Sequence, residues 1–165
     1  MALKRSVLSV CIGASLLCLV LSAGAQSGEK YKIRLMPVPA LTSRGAGIAV
    51  TSASVAGSSG NASATLSGKK LAVTGSFEKL ASPATEAHLF IGPAMGARSY
   101  PLGAPLFNLT VMKAADGKSG TLVGSFDLTN DQIDALKKGR IYLQVHSEGS
   151  PTGHLLGWLV KETAK

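Results

Sequence analysis

Alternation with period two is the feature that most constrains this chain. In Lys70–Phe77 the residues Leu71, Val73, Gly75 and Phe77 fall on one side, and Ala72, Thr74 and Ser76 on the other. Successive side chains of a strand point to opposite faces, so such a segment buries one row and leaves the other free. Tyr31-Lys32-Ile33-Arg34-Leu35 repeats the pattern and is halted by Pro37 and Pro39. Ala62–Leu66, Glu86–Ile91, Leu106–Met112, Gly120–Leu128, Arg140–His146 and Gly153–Lys161 also read as strands, with a weak one at Ile48–Val50. Small-residue turns separate them: Ser67-Gly68 marks a hairpin, and Asp116-Gly117 is a strong turn signal.

One segment departs from period two. Thr129-x-x-Gln132 is a capping box, Ile133 and Leu136 supply an apolar stripe, and Gly139 gives a stop. It predicts a helix of two to three turns lying across one end of the sheets. Asp127, Asp131 and Asp134 cluster near its start, where acids complement the helix dipole. Many short strands and one small helix predict an all-β fold, an antiparallel β-sandwich.

Residues 1–25 predict a secretory signal. Lys4 and Arg5 precede an apolar run from Val7 to Leu21, and Ala23-Gly24-Ala25 places cleavage before Gln26. The run is short for a membrane span and lacks a stop-transfer flank, so no span is expected after its removal. Val10 and Leu17 precede the two cysteines where a lipobox needs a small residue, so no lipid anchor is expected. Localisation is therefore expected to be secreted or periplasmic. Cys11 and Cys18 both fall inside the signal, leaving residues 26–165 as a single disulfide-free domain. Without Lys4 and Arg5, 15 basic residues stand against 9 acidic ones, a net charge of +6. Those basic residues are scattered and aromatic residues are few, which argues against a nucleic-acid groove. The charge fits solubility, or loose attraction to acidic surface polymers. Asn61-Ala62-Ser63 and Asn108-Leu109-Thr110 fit the glycosylation pattern, but the signal resembles a bacterial export signal, so occupancy is not expected.

All three histidines lie in two short strings, Ala87-His88-Leu89-Phe90-Ile91-Gly92-Pro93 and Ile141–His146 continuing through Pro151-Thr152-Gly153-His154. Together with Leu128-Thr129-x-x-Gln132-x-x-x-Leu136, Tyr142-x-x-Val145-His146 and Pro151-x-Gly153-x-x-x-Gly157, they carry a resemblance over roughly residues 30–161. The chain resembles the CHRD domain, a family named from chordin and found in many exported bacterial proteins. The resemblance implies an immunoglobulin-like β-sandwich, with Gly92, Pro93, Tyr142, Gly153 and Gly157 as structural motif residues. Two departures stand out. Phe90 occupies the second histidine of the family's Ala-His-Ile-His-x-Gly-Pro, and His154 and Leu156 replace the glutamate and arginine of its Gly-Glu-Ile-Arg-Gly.

Alternation puts His88 and Phe90 on one face, and Tyr142, Gln144 and His146 opposite the core row Ile141, Leu143 and Val145. His88 and His146 are then expected to converge and to be mostly buried, with His154 beside them. Two readings follow. The histidines either fix strand ends by donating to backbone carbonyls, or hold copper or zinc as a three-imidazole set. The family's His-x-His string resembles copper/zinc superoxide dismutase, although Phe90 removes one ligand here. No Ser-His-Asp order or paired-carboxylate spacing supports catalysis. The sequence reading is thus a non-enzymatic binding or structural module without cofactor, its partner an unknown protein or cell-envelope polymer, with a copper or zinc metalloprotein as the alternative. Leu156, Trp158 and Val160 form an apolar row on the last strand, expected to be covered by the helix or to be an interaction patch.

Overall fold

The computed structural model describes residues 28–38, 55–92 and 104–163. The signal segment with its cysteines, the strand expected at Ile48–Val50, and Pro93 lie outside them. Among the described residues the elements are β1 (Glu29–Pro37), β2 (Ser59–Ser67), β3 (Lys70–Glu78), β4 (Ala84–Ile91), β5 (Phe107–Lys113), β6 (Gly120–Asp127), α1 (Asn130–Lys137), β7 (Ile141–Ser147), β8 (Ser150–Trp158) and β9 (Val160–Lys161).

The strands pair in the order β2-β3-β6-β5-β4-β7-β8-β1, and β1 pairs with β2 to close the ring. The result is an eight-stranded antiparallel β-barrel, with β9 added along β1, and it overturns the expected immunoglobulin-like sandwich. The reason lies in two strands that serve a different neighbour with each half. Phe107–Leu109 of β5 pair with β4, while Thr110–Lys113 pair with β6. Glu29–Leu35 of β1 pair with β2, while Met36 and Pro37 pair with Leu156 and Leu155 of β8. A sandwich would leave these edges open; corner strands that change sheets remove them.

The barrel interior is the principal core. β1 contributes Tyr31, Ile33 and Leu35, β3 contributes Leu71, Val73 and Phe77, and β7 contributes Ile141, Leu143 and Val145. β8 lies close against β1 because Gly157 has no side chain: a Cβ there would stand 2.5 Å from the Arg34 carbonyl oxygen and 2.7 Å from Ile33 Cγ2. Helix α1 carries the expected box, with the Thr129 side chain accepting from the Gln132 amide and the Gln132 side chain accepting from the Thr129 amide. Its buried Ala135 and Leu136 join the principal core, and Ile133 packs against that core. The helix borders a groove of about 460 Å³ shared with Gly28, Glu29 and the β2–β3 turn, which places it at one end of the barrel.

The two sides of the barrel differ outside. On β1, β2 and β3 the outward rows are small, polar or charged apart from Met36, and largely exposed. On β7 all seven residues are buried, so its outward row is covered as fully as its inward one. Apolar groups inside and Lys, Ser and Thr outside β1–β3 invert the polarity of a membrane barrel. Among the described residues no helix is long and apolar enough to cross a membrane.

Candidate functional site

The doubly covered side is formed by β4, β7 and β8, and it carries all three histidines. Cross-strand register sets its rows: Phe90 faces Tyr142, which faces Trp158, and His88 faces Gln144, which faces Leu156. His88 and His146 stand diagonally, their ring centroids 5.1 Å apart, and both are buried as expected. Phe90 stacks on Tyr142 at 5.2 Å and 14°, and Tyr142 meets Trp158 at 5.1 Å. His88 completes the run edge-on to Phe90 at 5.9 Å. Phe90, which costs the site a histidine, is thus one of the two inner rings of an aromatic ladder.

Each histidine Nδ1 is engaged. His88 Nδ1 donates to Asn108 Oδ1 at 2.9 Å from the neighbouring strand, and its Nε2 lies 3.3 Å from the Glu86 carboxylate. His146 Nδ1 donates to the Pro151 carbonyl at 2.8 Å, the strand-end role foreseen for it. That leaves His146 Nε2 as a buried lone pair without a hydrogen-bond partner. Burial lowers the His146 pKa, an effect opposed by the Pro151 bond and reinforced by His88.

His154 stands in a different network. The Gly149 amide donates to Ser82 Oγ at 2.8 Å, and Ser82 Oγ donates to Ser147 Oγ at 3.0 Å. Ser147 Oγ in turn shares a hydrogen bond of 2.7 Å with His154 Nδ1. His154 Nε2 is buried without a hydrogen-bond partner. Burial alone lowers the His154 pKa. Ser147 and His154 have the spacing of a nucleophile and its base. Both are wholly buried, so no substrate reaches the hydroxyl.

Of the three proposed ligands the structure brings two together, His88 and His146, while His154 is committed to Ser147. Among the described residues no group of three His, Cys, Asp or Glu side chains could hold a metal ion. The expected patch divides as well. Leu156 and Trp158 belong to a second apolar cluster with Val38, Phe90 and Tyr142. Helix α1 packs into the principal core and not over this row, which corrects the expectation that it covers them. Val160 is exposed and sits beside Lys32 of β1, because the chain leaves β8 after Trp158 and resumes pairing on another strand. Asn108 and Ser147 were not foreseen as histidine partners. Asn108 had a sequence signal only as a glycosylation motif, and Ser147 had none.

The motif residues have clear tasks in this wall. Tyr142 is the ring that links Phe90 to Trp158, and Gly92 lies where a Cβ would come within 2.7 Å of the Trp158 ring. Gly153 holds φ +131° against the Gln144 side chain, whose Nε2 donates to the Thr152 carbonyl at 2.8 Å. Residues 37–159 match the model of the CHRD domain. The chain belongs to the CHRD domain family. No curated protein matches it. The family match begins at the last residue of β1, so the strand that closes the CHRD barrel lies almost wholly before it.

Proposed function

We propose that this CHRD domain protein is a non-enzymatic binding or structural module that works outside the cytoplasm, its partner a protein or cell-envelope polymer still to be identified. Family membership supports the module reading, and the signal pattern of residues 1–25 supports export. The observation that carries it is the fate of the imidazoles: every Nδ1 is spent on a fixed hydrogen bond, and every ring is buried in a wall of side chains. Groups so placed hold strands together; they are not presented to a substrate.

A second reading, a copper or zinc ion on this face, draws support from His146 Nε2, buried without a partner beside His88. Elemental analysis of protein purified without a histidine tag separates the two. Under the module reading, copper and zinc are substoichiometric and His146→Ala acts on stability alone. Stoichiometric metal that disappears in His146→Ala overturns it. Mass spectrometry of the exported protein tests localisation: a chain starting at Gln26 is expected.

A further inference from the structure

The outward row of β1 reads Lys30, Lys32 and Arg34, three exposed cations in a straight line about 7 Å apart along the strand. Four lysines elsewhere have carboxylate partners: Lys70 with Asp127, Lys138 with Asp134, and both Lys137 and Lys161 with Glu29. The cations that have none, such as Lys69, Lys79 and Lys118, do not share one strand row. Among the described residues none of the three stripe cations has an ionic partner. The exposed Glu162, whose amide donates to the Lys30 carbonyl, is the acidic neighbour at one end of the row. Three cations against it leave a net positive field, the condition for attracting a polyanion.

What lies beside the stripe narrows the partner. In register with Lys30, Lys32 and Arg34, one strand away at about 4.8 Å, stand Thr65, Ser63 and Asn61 of β2. Asn61 and Ser63 are exposed, and Ser63 shares a hydrogen bond of 3.3 Å with Thr74 of β3. Each cation therefore has a small hydroxyl or amide neighbour able to donate and accept. The platform carries no ring on which a nucleobase could stack. The exposed apolar groups near the stripe are Met36, next in the row after Arg34, and Val160 beside Lys32, too few for a bilayer to take. A linear polymer that offers a carboxylate at recurring units and hydroxyls between them matches both rows.

We propose that the outer face of β1 and β2 binds an acidic polysaccharide, its uronate carboxylates on Lys30, Lys32 and Arg34 and its hydroxyls on Asn61, Ser63 and Thr65. This deepens the binding-module reading, on which it rests, by naming a partner class and a surface remote from the histidine wall.

Calorimetric titration with polygalacturonate at low ionic strength tests it. Three proteins are compared: the wild type, a stripe variant (Lys30→Ser, Lys32→Ser, Arg34→Ser), and an equal-charge control (Lys69→Ser, Lys118→Ser, Lys138→Ser). The expected result is saturable wild-type binding that weakens with salt, lost by about tenfold or more in the stripe variant. The control should stay within about threefold of wild type. Outward side chains leave the core untouched, so unchanged melting temperatures certify the fold. Equal loss in both variants, or no wild-type binding, overturns the proposal. Stripe-dependent binding to phosphatidylglycerol vesicles or a single-stranded oligonucleotide, stronger than to polygalacturonate, also overturns it. Those outcomes leave the module reading standing; stoichiometric, His146-dependent metal removes that reading while the titration decides the stripe independently.

Discussion

Gln144 can cross to the Thr152 carbonyl only because residue 153 has no Cβ and accepts φ +131°. An alanine there meets two penalties, backbone strain of about 1–3 kcal/mol and overlap with the amide. Gly153→Ala should therefore lower stability by about 2–4 kcal/mol in urea titrations. Adding Gln144→Ser should recover the overlap but not the strain, so the double variant lies between the single variant and wild type. The histidines give a second test at this scale. The folded-state pKa values of His146 and His154 are lowered, chiefly by burial. The unfolded chain then binds the protons more readily, and the stability these neutral rings allow is complete only above the ordinary histidine pKa of about 6.5. As pH falls below that value, stability should fall. Urea midpoints between pH 7.5 and pH 5.5 should show the slope, in a window above carboxylate titration. A His146→Phe, His154→Phe variant should flatten it; an unchanged slope would show that the histidines are not its source.

Elements differ in how far the residues announced them. α1 was legible from Thr129, Gln132 and Gly139, because a capping box and a left-handed stop act locally; Gly139 does take φ +66°. Thr129→Ala should cost about 1 kcal/mol through the lost bond to the Gln132 amide. That cost is readable by thermal denaturation and restored by Thr129→Ser. The inward rows of β1, β3 and β7 were equally legible, and so was the meeting of His88 with His146, since period two fixes which residues share a face. Period two does not fix which strand lies alongside. The sandwich expectation failed at β1 and β5, whose halves change partners, and the patch expectation failed at Val160, whose strand moves to β1. Ser147 could not be tied to His154 for the same reason: its pairing with Ser150 follows an irregularity in the β7–β8 register after Val145.

Closure of the barrel depends on a strand the family match barely reaches. Residues 37–159 hold seven of the eight ring strands whole, yet without Glu29–Met36 the edges of β2 and β8 stand open. Tyr31, Ile33 and Leu35 are fully buried in the principal core. Each such side chain contributes about 1.5–3 kcal/mol by burial, so the three approach the 5–15 kcal/mol that separates a typical domain from its unfolded state. A chain starting at residue 37 should therefore lose its cooperative thermal transition by circular dichroism, and its open edges should make it prone to aggregate. A peptide of residues 28–36 added in trans should restore the transition by supplying the missing strand, since the β2 edge presents the backbone groups and the core presents the vacated space. Gly157→Ala probes the same seam in the full chain: crowding the Arg34 carbonyl should destabilise by about 1–3 kcal/mol. If the shortened chain melts cooperatively within a few degrees of wild type, closure by β1 is dispensable and the seven remaining strands are the folding unit.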